Sequence, residues 1–244
     1  MPRRKNRRWR PLNSALSVVC WQYSLKCLDV NFTDCEQMMW WHVLGVLGSV
    51  AVTGPIGLAI AIWLLAGKSW RLTLAWSLLF GVGMALVVLT KMAFIGWGVG
   101  VESVAFAGIS GHAMRAAAVF PVALYLMAYS ARPRLRLAAL AAGVALALLI
   151  AISRVVINVH SVSEVVTGGL LGFAVAAAFI RMVRAGGELV LSRVLGLLCL
   201  PVLLIAPRVE PIPTEMWITK AALYLAGHQQ AHVPYIWRAP RPVS

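Results

Sequence analysis

The chain has 244 residues, of which 61% are hydrophobic and 12% charged, and its 22 Lys and Arg against 8 Asp and Glu give a formal charge of +14. Soluble domains devote about a quarter of their residues to charge, so this composition excludes an ordinary water-soluble domain, and the apolar content excludes a disordered chain. Cys20, Cys27, Cys35 and Cys199 are too few and too scattered for a disulfide-rich scaffold, and no C-x-x-C pair marks a metal site.

A helix that crosses a hydrocarbon core of about 30 Å needs about 20 apolar residues, and six runs of that kind follow one another. Residues 1–41 come first, a basic arm with Arg3, Arg4, Lys5, Arg7, Arg8 and Arg10 in its first ten positions. A nucleic-acid partner would rest on that cluster alone, and none is expected. The predicted spans then cover residues 43–66, stopping at Gly67-Lys68, and 72–90, stopping at Lys91. A third follows Gly111-His112 and reaches residue 129, with Arg115 near its start and Pro121 inside it. Residues 137–152, 165–180 and 189–206 complete the set. Residues 42–206 are thus expected to form an all-α, polytopic membrane bundle of about six transmembrane helices. The tail, residues 207–244, is Pro-rich and holds one amphipathic stretch at 216–225, whose Trp217 and Tyr224 suit a membrane interface.

Basic residues set the expected orientation. Lys68 with Arg71, then Arg132, Arg134 and Arg136, then Arg181 and Arg184 occupy alternate connections, and the positive-inside rule assigns all three to the cytoplasm. The 91–112 and 153–164 connections then face the outer side of a cytoplasmic (inner) membrane. The basic arm conflicts with this parity, because a single crossing by 43–66 would leave it outside. Translation beginning at Met38 or Met39 would remove the conflict.

Polar groups at membrane depth are costly and point to function. By parity, Lys91, Ser110-Gly111-His112, Ser153-Arg154, His160 and Glu164 all reach one membrane face. Lys91 and Arg154 suit an anion, and Ser110 and Gly111 precede a helix whose first N–H groups attract one. His112 and His160 titrate near neutral pH, so one can protonate a leaving oxygen while the other attacks phosphorus. Glu164, four residues after His160, can accept the imidazole N–H. With no cluster of carboxylates or thiolates for a metal, the implied chemistry is metal-free and uses no cofactor.

Blander readings stand beside these. Lys91 and Arg154 also suit span ends whose charges snorkel to water, and His112 an interfacial position. Ser161-Val-Ser-Glu164 matches a helix capping box, in which Glu164 would satisfy a backbone N–H instead of orienting His160. His228 and His232, at i,i+4, are a weak metal pair.

Taken together, the polar residues resemble the type 2 phosphatidic acid phosphatase (PAP2) superfamily of membrane lipid phosphatases, with its motifs K-x6-R-P, P-S-G-H and S-R-x5-H-x3-D. Ser153-Arg154 and His160 reproduce the third motif, with Glu164 in place of Asp; Ser110-Gly111-His112 reproduces the second, with Ile109 in place of Pro. Lys91 suits the start of the first, whose Arg-Pro falls on Gly98-Val99. The resemblance covers residues 72–182 and implies a six-helix core. It makes His160 the nucleophile that forms a phosphohistidine, His112 the acid and Glu164 the partner of His160, with Lys91, Ser110, Gly111 and Arg154 on the phosphate. A lost Arg contact is worth about 1.5–3 kcal/mol, and Arg115, one turn beyond His112, is the candidate to replace it. The implied function is hydrolysis of a lipid phosphate or an isoprenoid diphosphate. The alternative is a catalytically weak relative that binds or handles lipid phosphate, which the missing Arg favours and the two His oppose.

Overall fold

The structure, a computed structural model, describes residues 32–186, 214–227 and 229–237, with side chains from Trp40 onward. The predicted sixth span at 189–206, the basic cluster of the arm and His228 lie outside the described residues. The chain divides into two units, residues 1–40 and 41–244. Of the first, only the opening of helix α1 (Phe32–Leu47) is described.

Six further helices follow: α2 (Val50–Ala66), α3 (Trp70–Trp97), α4 (Gly111–Met127), α5 (Pro133–Val156), α6 (Val162–Ala185) and α7 (Thr214–Ala226). Among the described residues there is no strand, only a single bridge between Val101 and Phe106 in the α3–α4 connection. Among the described residues, four stretches are long and apolar enough to cross a membrane: Trp40–Ala66, Trp70–Trp97, Pro133–Val156 and Val162–Ala185. The shorter α4 is apolar as well. On α3, Leu74, Leu78, Val82, Leu86 and Leu89 form an exposed stripe at helical spacing. In water that stripe would be a large apolar patch; against lipid it is the solvated face, while the helix satisfies its own backbone. The chain is therefore an all-α, multi-pass membrane protein.

The core forms around α4, which is buried along nearly its whole length from 113 to 126. Small residues let its neighbours approach closely. A Cβ added at Gly143 of α5 would stand 2.7 Å from the Phe120 carbonyl oxygen, and one at Gly168 of α6 would stand 2.5 Å from the Ser110 carbonyl oxygen. Trp76 fastens α3 to α2 through a 2.8 Å bond from its indole N–H to the Gly57 carbonyl. It also meets Phe179 of α6 edge-on at 5.2 Å.

Two boundaries differ from the sequence expectation. The run at 43–66 is broken at Gly48-Ser49, where Gly48 N–H donates to Gly45 O at 3.1 Å and Ser49 N–H to Val46 O at 3.0 Å. These tightened end bonds close α1 and leave the Gly48 carbonyl for an outside partner. Lys91, expected at a span end, lies inside α3, which continues to Trp97 and stops at Gly98 in a left-handed C-cap (φ 70°). The position of the first motif's Arg is thus a helix stop. In the tail, α7 packs on the last turns of α3, where a Cβ at Gly96 would be 3.1 Å from the Ala222 carbonyl oxygen. Trp217 and Tyr224 of α7 stay exposed.

Candidate active site

The α5–α6 connection places His160 just ahead of α6, and Glu164 holds it there. Ser161 Oγ accepts from Glu164 N–H at 3.3 Å, while Glu164 Oε2 accepts from Ser161 N–H at 3.3 Å, which completes a capping box. The same Oε2 accepts from His160 Nδ1 at 2.7 Å, and Oε1 accepts from Ala107 N–H at 2.8 Å. The two sequence readings of Glu164 are therefore compatible: one carboxylate caps α6 and fixes the imidazole. Because a carboxylate only accepts, the proton sits on Nδ1 and the lone pair on Nε2. Burial lowers the His160 pKa below the ordinary 6.5, the Glu164 hydrogen bond opposes this, and the charge of Lys91 adds to the lowering. The net result favours a neutral imidazole at neutral pH.

The connection ahead of α4 is strapped between α3 and α6. Ser110 N–H donates to the Glu164 carbonyl at 3.0 Å, Ser163 Oγ donates to the Val104 carbonyl at 2.8 Å, and Ile109 N–H donates to Thr90 Oγ1 at 3.2 Å. The last bond explains the departure at Ile109, since proline has no N–H to give. Gly108 has φ 131°, and a Cβ there would lie 3.2 Å from Lys91 Cα, so the loop needs glycine both for its backbone and for its seat on α3.

These straps set Ser110 as the N-cap of α4 and His112 in its first turn. The first N–H groups of a helix have no carbonyl of their own to meet, and Ser110 Oγ is buried without a hydrogen-bond partner. His112 packs on Gly48 and feels the charges of Arg154, Arg115 and Lys91. Arg115, 6% exposed, folds back toward the start of α4: its NH1 lies 2.8 Å from where a Gly111 Cβ would be. Its NH2 donates to the Gly48 carbonyl at 3.3 Å, and its Nε has no partner. Arg154 reaches over α1, with NH1 2.8 Å from where a Gly45 Cβ would be, and His42 lies within its field. Ser153 is buried, and its hydroxyl donates to the Ile150 carbonyl of its own helix at 2.6 Å.

Lys91 is 9% exposed, which removes the snorkelling reading, and its ammonium is paired with Glu215 of α7. Desolvation pushes the Glu215 carboxyl up, but the charge and hydrogen bond of Lys91, with the charge of Arg115, bring it below the ordinary 4.5, so it is ionised at neutral pH. The cluster expected from sequence is thus gathered in one place, and Glu215, Thr90 and Gly108 join it. Of the metal pair, His232 Nδ1 donates to the Ile95 carbonyl at 3.1 Å. Among the described residues no three His, Cys, Asp or Glu are grouped to hold a metal.

The profile of the PAP2 superfamily matches residues 93–188, which include Ser110, Gly111, His112, Arg115, Arg154, His160 and Glu164 and begin just after Lys91. A Klebsiella pneumoniae protein described as an uncharacterized 22.5 kDa protein in the cps region is 41% identical over 141 residues, 57% of this chain and 68% of that protein. No solved structure matches the chain. With the Ser-Gly-His and Ser-Arg…His…Glu segments meeting at one end of a helical membrane bundle, the chain belongs to the PAP2 superfamily.

Proposed function

We propose that the chain is a membrane phosphatase that hydrolyses a phosphate monoester or diphosphate carried by a lipid, through a phosphohistidine on His160. The observation that carries this reading is the His160–Glu164 bond: an imidazole fixed through Nδ1, with its Nε2 lone pair free to attack, beside Lys91, Arg115 and Arg154. A site that only bound anions would gain nothing from a fixed, neutral imidazole.

The substrate phosphate displaces Glu215 from Lys91 and takes the donors of Lys91, Arg115, Arg154, Ser110 and the N–H groups that open α4. Arg115 supplies the charge that Gly98 lacks. His160 Nε2 attacks phosphorus, the P–O bond to the lipid breaks, and protonated His112 gives its proton to the leaving oxygen. Water then attacks the phosphohistidine, neutral His112 accepts the water proton, the P–N bond breaks and phosphate leaves. Lys68, Arg71, Arg132, Arg134, Arg136, Arg181 and Arg184 cluster toward the opposite end of the spans, and by the positive-inside rule this supports a site that faces the outer side of the inner membrane.

A second reading, binding without hydrolysis, draws on the Lys91–Glu215 pair and on Gly98. Radiolabelled lipid phosphate separates the two. The phosphatase reading expects phosphate release and a base-stable label on the protein that disappears in His160→Ala. Wild-type turnover in purified His160→Ala would overturn the mechanism, and binding with neither label nor release would establish the second reading.

A further inference from the structure

The end of the bundle remote from His160 carries a second gathering of charge. Tyr125 lies in the last turn of α4 and Tyr129 just beyond its C-cap, Arg136 lies in the first turn of α5 and Arg184 in the last turn of α6. With Leu137 and Leu140 they line a cavity of about 520 Å³. The Arg136 guanidinium lies 5.8 Å from the ring centres of both tyrosines, and that of Arg184 lies 5.7 Å from the ring centre of Tyr125. Arg184 Nε also donates to Tyr125 Oη at 3.4 Å, and Arg136 NH1 to the Tyr129 carbonyl at 3.5 Å. Two like charges therefore share one ring, itself 1% exposed. Among the described residues neither arginine has a carboxylate partner; Glu188, four residues after Arg184, lies outside them.

Cation–π contacts and single hydrogen bonds hold the two guanidiniums in place but do not neutralise them. Each keeps several N–H donors in a planar fork suited to phosphate oxygens. The start of α5 adds its positive helix end, with no side-chain cap on Arg132. Below these donors, Leu137 and Leu140 offer an apolar surface that runs into the span.

We propose that this cavity is a binding site for the phosphate head group of an anionic phospholipid in the leaflet opposite the His160 site. Arg136 and Arg184 chelate the phosphodiester, and Leu137 and Leu140 receive the first part of an acyl chain. A basic pocket between helices at this depth suits a lipid head group, and its volume falls in the range of ligand sites, about 300–1,000 Å³. Free phosphate would meet the arginines but leave the leucines uncovered, so the lipid is the occupant to which the geometry commits.

The test is thermal unfolding of the delipidated full chain in detergent with added phosphatidylglycerol, phosphatidylcholine or inorganic phosphate. Phosphatidylglycerol is expected to raise the midpoint by a shift that depends on Arg136 and Arg184; phosphatidylcholine is not expected to raise it, and any shift from inorganic phosphate, which the His160 site also accepts, is expected to be the same with and without these arginines. Arg136→Gln with Arg184→Gln should weaken the apparent phosphatidylglycerol affinity about tenfold or more, as the loss of two charge-assisted contacts implies. Arg71→Gln, at the same end over Trp70, should leave it unchanged. If the double Gln variant does not fold, Arg136→Lys with Arg184→Lys keeps the charges and loses the forks, and is expected to lose most of the shift. Equal stabilisation by phosphatidylcholine, an inorganic phosphate shift that matches that of phosphatidylglycerol and falls with it in the arginine variants, or an undiminished phosphatidylglycerol shift in the variant that folds would overturn the proposal.

Discussion

At one end of the bundle Lys91, Arg115 and Arg154 are drawn in beside two imidazoles and two carboxylates; at the other, Arg136 and Arg184 lie over tyrosine rings. Both ends can attract an anion. Among the described residues only the first has imidazoles, the groups proposed to move protons, and only there is one fixed by a carboxylate. Positive charge at a membrane face is thus a common property of these spans, whereas the His160–Glu164–His112 arrangement is what separates the proposed reacting site from the proposed holding site.

The sharpest way to break this contrast is to remove the nucleophile. His160→Ala is expected to abolish phosphate release, read as turnover of the purified protein on a lipid phosphate, while the variant still binds substrate. His112→Ala should cost about 10²–10⁴-fold in kcat, the usual contribution of general acid–base catalysis. Glu164→Gln should lower kcat about 10²-fold or more through the wrong charge beside the imidazole.

Profiles of kcat/KM against pH test the same pair. Because the proposed mechanism needs His160 as a neutral nucleophile and its pKa is lowered, its neutral fraction persists as pH falls, and the acid limb is expected below 6.5. Glu164→Gln removes an interaction that raises this pKa, so the limb should move to still lower pH. The smallest effect expected is at Glu215. Its side chain is 64% exposed, and an exposed ion pair is worth up to about 1 kcal/mol. Glu215→Gln should therefore lower KM by up to about fivefold, with kcat nearly unchanged.

Much of this site is legible in sequence because its spacings are local. His160 stands just ahead of the N-cap and only four positions before Glu164, and Ser161 to Glu164 is a capping interval, so both contacts follow from short-range geometry. Arg115 is legible for the same reason, one turn beyond His112. What escapes is whatever depends on the packing of distant helices. Glu215 meets Lys91 across 124 residues, and no periodicity links them. Its only trace is an acid at the head of an amphipathic stretch. The Gly48-Ser49 break is hidden because the flanking residues are equally apolar, and its purpose is visible only when the Gly48 carbonyl receives Arg115. Lys91 was expected at a span end because charge ordinarily stops an apolar run; α3 carries it inward, where Glu215 pairs with it.

Glu164 has a consequence for how this protein can change over generations. One oxygen serves both His160 and the cap of α6, and the other holds the loop that delivers Ser110. Aspartate, one methylene shorter, would have to give up part of that reach, while glutamine keeps the length and loses the charge. Because the partners at 107 and 161 are main-chain N–H groups, no side-chain change there can restore what a shorter or neutral residue loses, and a drift at this position would loosen the imidazole, the cap and the loop together.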